Sequence, residues 1–376
     1  MKNNTFTTLT KVVDKKFFNQ LVKKYNADNY VKSFNTWDHF QTMLYAQYTN
    51  QASLRSLEIN FNHFISQTGM QISLIKRSTL SDTNAAKPVE LYQELFSHLV
   101  TKVNRQIRTN TMPLIELIDS TPIVLKGRGL SWADKNARVT GLKMHVVYDL
   151  KHEGPLRFTF SSPRLNDIVE GRKLITPIKG GYYVFDRAYY DFKFWHNFTL
   201  SESTFITRPK STLTYKIIER HQPNSSDIIF DHTISLKSKN GKKHPERLRL
   251  IKVQGEVNGK MKKIKIITNN FKMKASELAA LYKKRWQIEL FFKWIKQNLK
   301  IKKFFGQNEN AIKIQIITAM IAYILLKIIE TKYNIEYRTY YILNLIKYNI
   351  YQPIEAIFDK PPPNQSYKQA AVIKIW

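Results

Sequence analysis

The chain has 376 residues, 43% hydrophobic and 13% aromatic, with 12 Gly and 13 Pro; that composition excludes a disordered chain, and that length suits several domains or one core with a sizeable insertion. Cysteine is absent, which excludes disulfides, Cys-ligated zinc, iron–sulfur clusters and a cysteine nucleophile, and is compatible with a reducing compartment. Lys and Arg total 60 against 29 Asp and Glu, a formal net charge of +31, so the surface calls for an anionic partner, nucleic acid before a membrane surface.

The first residues, MKNNTFTTLTKVVDKK, lack the apolar centre of a signal peptide. Phe17, Phe18, Leu21 and Val22 recur at helical spacing, as do Trp37, Phe40, Met43 and Leu44, with Asn35 or Thr36 as a cap. Leu54, Leu57, Ile59 and Phe61 extend the helical pattern. Short helices separated by Lys and Arg suit a small DNA-binding bundle, or alternatively a packing or oligomerisation module. Ser78-Thr79-Leu80-Ser81-Asp82 reads as a polar turn before Pro88, which opens a helix from Val89 to about Arg108 with Leu91, Leu95, Leu99 and Val103 on one stripe.

The texture then turns to strands. Leu114 to Ile118 is a short apolar run ending at Asp119. Met144–Leu150 and Leu156–Phe160 form two strands around a turn at Lys151–Pro155. Gly181 to Phe185 is another short strand ending at Asp186, and Thr204–Thr207 is a fifth. From 210 to 275 the chain is strand-like and very basic, with Ile228–Leu236, Leu248–Val253 and Ile264–Thr268 alternating. Ser276-Glu277 opens a long helix to about Leu299. Helices follow from about Asn310 to Thr331 and near Tyr340 to Ile354. Ile316–Leu326, the longest apolar run, is short of the roughly 20 residues of a spanning helix and reads as buried. Pro361-Pro362-Pro363 marks an exposed tail.

No Gly-rich loop ends in Gly-Lys-Ser/Thr, Gly127-Arg128-Gly129 carries no nucleotide signal, and no two His stand four apart on a helix. The chemistry must come from acids. Asp119 and Asp186 each follow an apolar strand where a loop begins; each is a turn residue or a site residue. Adjacent parallel strands would set both at one sheet edge, where carboxylates can hold paired Mg²⁺ ions. On the long helix Tyr282, Arg285, Glu289 and Lys296 fall within about 60° of arc. That stripe is either a site or an exposed face of ion pairs.

Tyr282-x2-Arg285-x3-Glu289-x6-Lys296 resembles the Y-R-E-K signature of the IS-four-like group of bacterial DDE transposases. Ile118-Asp119-Ser120-Thr121 resembles that family's first Asp segment, and Val184-Phe185-Asp186-Arg187-Ala188-Tyr189-Tyr190-Asp191 its second. Arg77 to Asn84 and the Trp37–His39 region resemble an amino-terminal domain of many members, although Leu54-Arg55-Ser56 lacks an expected acid after the Arg. The similarity runs from about residue 15 to 350.

The resemblance implies an α/β fold: a ribonuclease-H-like catalytic core with a β-rich insertion, preceded by a small all-α amino-terminal domain. The insertion accounts for the gap of about a hundred residues between Asp186 and Glu289, too long for one crossover. The segments expected are 1–85 helical and DNA-binding, 86–112 a linking helix, 113–209 the first part of the core, 210–275 the insertion, 276–355 the catalytic and C-terminal helices, and 356–376 a tail. The resemblance further implies cleavage and strand transfer at the ends of an insertion sequence. Asp119, Asp186 and Glu289 would be the catalytic acids and the ligands of two Mg²⁺, with Mn²⁺ as a substitute. Tyr282, Arg285 and Lys296 would meet DNA phosphates, and Arg187 either a phosphate or an ion-pair partner. The expected partners are double-stranded DNA, as terminal inverted repeats and target, and a second copy in a homodimeric synaptic complex, with no membrane and no nucleotide cofactor. The expected location is the bacterial cytoplasm, at the nucleoid. Two other functions remain open at this point: an inactive DNA-binding protein of the same fold, and a stand-alone metal nuclease that cuts without joining.

Overall fold

The structure, a computed structural model, describes residues 4–107, 113–127, 129–136, 139–237, 241, 244–257 and 260–358. The expected tail beyond Phe358 and the end of the expected linking helix, 108–112, lie outside the described residues. In chain order the elements are α1 (Thr5–Lys11), α2 (Lys15–Lys24), α3 (Thr36–Thr49), α4 (Leu54–Thr68), α5 (Arg77–Ala86), α6 (Val89–Ile107), β1 (Ile115–Val124), β2 (Gly141–Asp149), β3 (Gly154–Ser161), α7 (Asp167–Leu174), β4 (Tyr182–Phe185), a 3-10 turn (Arg187–Tyr189), α8 (Phe192–Leu200), β5 (Thr204–Thr207), β6 (Tyr215–His221), β7 (Ile228–Leu236), β8 (Leu248–Val257), β9 (Lys260–Thr268), α9 (Ala275–Lys284), α10 (Trp286–Asn298), α11 (Glu309–Lys332), α12 (Thr339–Tyr348) and α13 (Ile354–Phe358).

These elements divide into two compact units. One is helical, drawn from the chain up to residue 107, from 123–141 and from 292 onward; the other, drawn from 113–122 and 142–291, carries the sheet.

In the helical unit α11 is the axis. Residues Ala311 to Ile329 are buried almost without interruption, as expected of a helix that is apolar all round. By length and composition α11 could cross a membrane, but 94% of its most apolar stretch is buried by its own protein. The helix matches the expected Asn310–Thr331 and extends on both sides of the apolar run, with Gln315 buried in it too. Gln315 is kept inside by its amide: Nε2 donates to Lys300 O at 2.7 Å and Oε1 accepts from Phe305 N at 2.9 Å. α3, α5, α6 and α12 pack on α11. Asn35 caps α3, its side chain accepting from Asp38 N at 2.9 Å. The stripe Leu91, Leu95, Leu99 and Val103 of α6 is buried.

One segment departs from the sequence reading. Residues 77–86 form helix α5 rather than a polar turn. Its Ser, Thr and Asp residues favour turns locally, and Lys76 supplies no side-chain cap. Leu80 and Asn84 are nonetheless buried, and α5 packs on α4 and α11. Tertiary burial outweighs the local preference; a fully buried Leu contributes about 2–3 kcal/mol.

The sheet has nine strands in the order β3-β2-β1-β4-β5-β9-β8-β7-β6. β2 and β3 are antiparallel. β1 and β2 run in opposite directions, since Leu125 N bonds Thr140 O at one end and Leu150 N bonds Ile115 O at the other. β1 with β4, and β4 with β5, are parallel. This is the ribonuclease-H-like core that the resemblance implies. The basic strands β6–β9 continue the same sheet: β9 pairs antiparallel with β5, Ile206 opposite Thr268. Aromatics knit α8 to the centre, with Phe185 5.7 Å from Phe198 and Trp195 5.3 Å from Phe205 between ring centres. α9 packs on β4, β5 and β7.

Candidate active site

Register brings the two Asp residues together. Ile118 stands opposite Phe185 on the parallel pair β1–β4, so the next residues, Asp119 and Asp186, are neighbours across the strands. β1 does not end at Asp119, as the sequence suggests, but runs on to Val124. β4 does stop, because Asp186 turns its Oδ1 onto Ala188 N at 2.7 Å and caps the 3-10 turn. Thr207, at the end of β5, donates its hydroxyl to Asp186 O at 3.0 Å and fixes that corner. Gly171 of α7 makes room for the Tyr189 ring beneath it; a Cβ there would stand 2.7 Å from the ring.

The expected long helix is interrupted. α9 ends at Lys284 and α10 starts at Trp286, with Arg285 between them. Around it the bonds tighten to the three-residue pattern, Arg285 N to Tyr282 O at 3.1 Å and Ile288 N to Arg285 O at 3.2 Å. The Arg285 side chain is mostly buried, and its Nη1 lies 3.2 Å from Asp119 Oδ2. Its Nη2 also bonds Glu289 Oε1, one turn along. Arg285 thus joins the β1 acid to the α10 acid.

The electrostatics agree with this geometry. Burial first, then the Asp186 charge, push the Asp119 carboxyl up to about 7, against the pull of Arg285. Burial raises Asp186 as well, and Asp167 adds to it. Tyr282 is buried, and its hydroxyl is raised by burial while Arg285 and Arg208 oppose the shift. Lys296 lies on the last turns of α10, which belong to the helical unit; its ammonium is lowered by burial and then by Lys302.

Sequence reasoning named Arg187 but missed other residues here. Asp167, the first residue of α7, is held by Lys143 Nζ at 2.9 Å and adds a further acid facing Asp186. Arg187 lines a cleft of about 280 Å³ with Arg208, Lys210, Lys263 and Lys265. The lysines were visible only as part of a basic block, because their position depends on β9 pairing with β5. Two further acids, Asp149 and Asp191, have structural partners. Asp149 contacts His152 and accepts from Lys151 N, while Asp191 caps α8 and pairs with Arg172 at 2.7 Å.

A carboxylate set of this kind fits a hard divalent cation. Burial makes Asp119 and Asp186 resist ionisation, and the Arg285 guanidinium already lies against Asp119 and Glu289 as a counter-charge. Among the described residues, however, the group whose three ligand atoms come within 4.8 Å of one another is His196, His244 and Glu246, not the three acids.

The strand order and the acids side by side on β1 and just after β4 place the sheet unit in the ribonuclease-H-like class. Comparison with known proteins makes this particular. Residues 111–325 match the family described as Transposase DDE domain, and 1–67 match a family described as a domain of unknown function. A protein of Sinorhizobium fredii described as a putative transposase is 37% identical over 297 residues, covering 77% of this chain and 82% of that protein. A Geobacillus stearothermophilus protein described as a probable transposase for an insertion sequence element is 30% identical over 256 residues, 66% of each chain. The piggyBac transposase, solved as a synaptic complex with hairpin DNA, shares the fold with a TM-score of 0.53 at 12% identity, over 96% of this chain and 83% of that one. The chain belongs to the DDE transposases of insertion sequences. It is a DNA-binding enzyme that cuts DNA and transfers the cut strand, using divalent metal.

Proposed function

We propose that Asp119, Asp186 and Glu289 are the catalytic acids, and that they hold two Mg²⁺ ions, with Mn²⁺ able to replace them. The observation that carries this is the parallel register of β1 and β4, which sets Asp119 beside Asp186 within reach of the arginine that also binds Glu289. Bound there, the metal pair would supply Lewis-acid stabilisation of the attacking and leaving oxygens in an in-line displacement at phosphorus. The protein's own groups do the rest. Asp119 and Asp186, both raised by burial, would hold the ions in their deprotonated forms. Arg285 balances the acids and offers a planar fork to a phosphate beside the cut. The buried Tyr282 hydroxyl orients that phosphate by one hydrogen bond, and Lys296 meets the backbone farther along as a point charge. Arg187, Arg208, Lys210, Lys263 and Lys265 neutralise the flanking strand.

The substrates in this reading are the element's terminal inverted repeats and the target duplex, handled by a homodimer in a synaptic complex at the nucleoid of a bacterial cytoplasm. Helices of the 1–85 segment, which share the helical unit with α6 and α11, supply much of the sequence discrimination, and 210–275 adds the basic rim. Replacing Asp119, Asp186 or Glu289 singly by Ala should abolish cleavage of a labelled element end while gel-shift affinity stays nearly constant, since metal ligation and phosphate neutralisation are separate terms. Cleavage by Glu289→Ala at the wild-type rate would remove Glu289 from the site.

A further inference from the structure

A second cluster of ligand atoms lies within the sheet unit, apart from the acids. His196 stands on α8, and His244 and Glu246 on the connection between β7 and β8. His196 Nδ1 is 2.9 Å from Glu246 Oε2, and His244 Nδ1 is 3.4 Å from the same oxygen. All three ligand atoms lie within 4.8 Å of one another. We infer that His196, His244 and Glu246 form a binding site for one divalent transition-metal ion of the Zn²⁺ type, tying the basic β-insertion to α8.

Three features carry this. The first is the chemistry of the donors: two imidazoles and a carboxylate form a set that borderline metals favour over Mg²⁺. The second is spacing. Tetrahedral bonds of about 2.0–2.1 Å set neighbouring ligand atoms about 3.3 Å apart. The 2.9 and 3.4 Å from the two imidazoles to Glu246 Oε2 bracket that edge; His244 Nδ1 also lies 3.3 Å from Glu246 O, a contact that an ion would replace. The third is the surrounding support. His244 has a fully buried side chain, and its other ring nitrogen, Nε2, lies 3.3 Å from Thr199 Oγ1. Thr199 follows His196 by three residues on α8, so both face the same way. Its hydroxyl in turn accepts from Asn269 Nδ2 at 3.1 Å. A ligating histidine is normally oriented in this way through its second nitrogen. His196 and Glu246 remain partly exposed, at 22% and 39% of their side chains, which gives an ion an entry path and leaves room for a water as fourth ligand.

The consequence is architectural. The β7–β8 connection belongs to the insertion whose lysines line the basic cleft, while α8 is capped by Asp191, five residues after Asp186. An ion at this site would fix the insertion to the core without entering the chemistry at phosphorus.

Zn²⁺ binding to the full chain, followed by calorimetry in excess Mg²⁺, tests the inference, with Co²⁺ as a spectroscopic probe of tetrahedral geometry. The Asp119→Asn/Asp186→Asn protein controls for zinc at the acids. One equivalent of Zn²⁺ should bind to wild type and to this control, and should raise the melting temperature of both. His196→Ala and Glu246→Gln, at partly exposed positions, should lose that equivalent while keeping wild-type circular dichroism. Thr199→Val should weaken binding by about 10- to 100-fold. Zinc stoichiometry unchanged in His196→Ala and Glu246→Gln would overturn the site and leave a hydrogen-bonded His–Glu–His cluster. Loss of the equivalent in the Asp119→Asn/Asp186→Asn protein would overturn it equally, by assigning the zinc to the acids.

Discussion

Asp119 should make the protein's stability depend on pH in a way that asparagine removes. Its carboxyl titrates near 7 in the folded chain, against an ordinary value of 3.8. Below pH 3.8 the group is protonated whether the chain is folded or not, and it costs nothing. Between pH 3.8 and about 7 the unfolded chain has released the proton and the folded chain has not, so stability falls as pH rises. Above about 7 both forms are ionised and the loss levels off. Each tenfold change in protonation equilibrium is worth about 1.4 kcal/mol, so the full loss is about 4 kcal/mol. The side chain is only 17% exposed, so little of this is screened. Asp119→Asn is neutral in both states and escapes the loss, although it also weakens the contact with Arg285. The variant should therefore gain about 2–4 kcal/mol on wild type between pH 4.5 and pH 8, measured by urea unfolding in EDTA. Millimolar Mg²⁺ should shrink the gain at pH 8, because a cation at the acids favours the ionised carboxylate. A stability difference equal at both pH values would refute the argument, since it would mean that Asp119 ionises as freely in the folded chain as in the unfolded one.

Two further outcomes are expected. Arg285→Ala should lower cleavage by roughly 100-fold through misplacement of the phosphate, while the salt slope of DNA binding falls by only about one unit; cleavage at the wild-type rate would confine Arg285 to an ion-pair role. Arg249→Ala should cost about 3–5 kcal/mol in urea unfolding, because it leaves buried Asp231 without a bidentate partner now at 2.9 and 2.5 Å, and Arg249→Met with Asp231→Leu should recover much of that loss.

How much of this could be read from the sequence depends on the range of the interactions involved. The strand ending at Asp186 was legible, because an apolar run meets a polar turn there and the cap is local. The continuation of β1 past Asp119 was not, because Leu125 finds its partner at Thr140, across a loop. The helix α5 was hidden by its own Ser, Thr and Asp residues, and only Leu80 and Asn84 buried against distant helices make it a helix. The break at Arg285 carries no Gly or Pro to announce it. That residue is drawn instead toward two acids, one of them 166 positions away. Strands β6–β9 were visible as alternating basic segments, but nothing in their pattern states that β9 closes onto β5. The His196, His244 and Glu246 cluster left only a His-x-Glu pair as a trace, since its third member comes from a helix brought near by the fold.

That closure of β9 onto β5 also bears on how a strongly basic chain can keep a nest of acids usable. Lys263 and Lys265 alternate along β9 and so share one face. With Arg208 just after β5 and Arg187 just after Asp186, they set a cationic rim on the same cleft. A rim of positive charge draws the DNA backbone in, with counterions released as it binds. Placed against the acids directly, the same charges would compete with divalent metal for the carboxylates. Among the described residues Arg285 is the cation in direct contact with Asp119 and Glu289, while Arg187 acts on Asp186 more weakly than Arg285 does. Arg285 touches Asp119 and Glu289, but Asp119 still titrates near 7, so a single arginine leaves the buried acids short of positive charge. A site with that deficit would gain more from a divalent ion than an already neutralised one, and in the proposed reading Arg285 would then be free to turn toward phosphate.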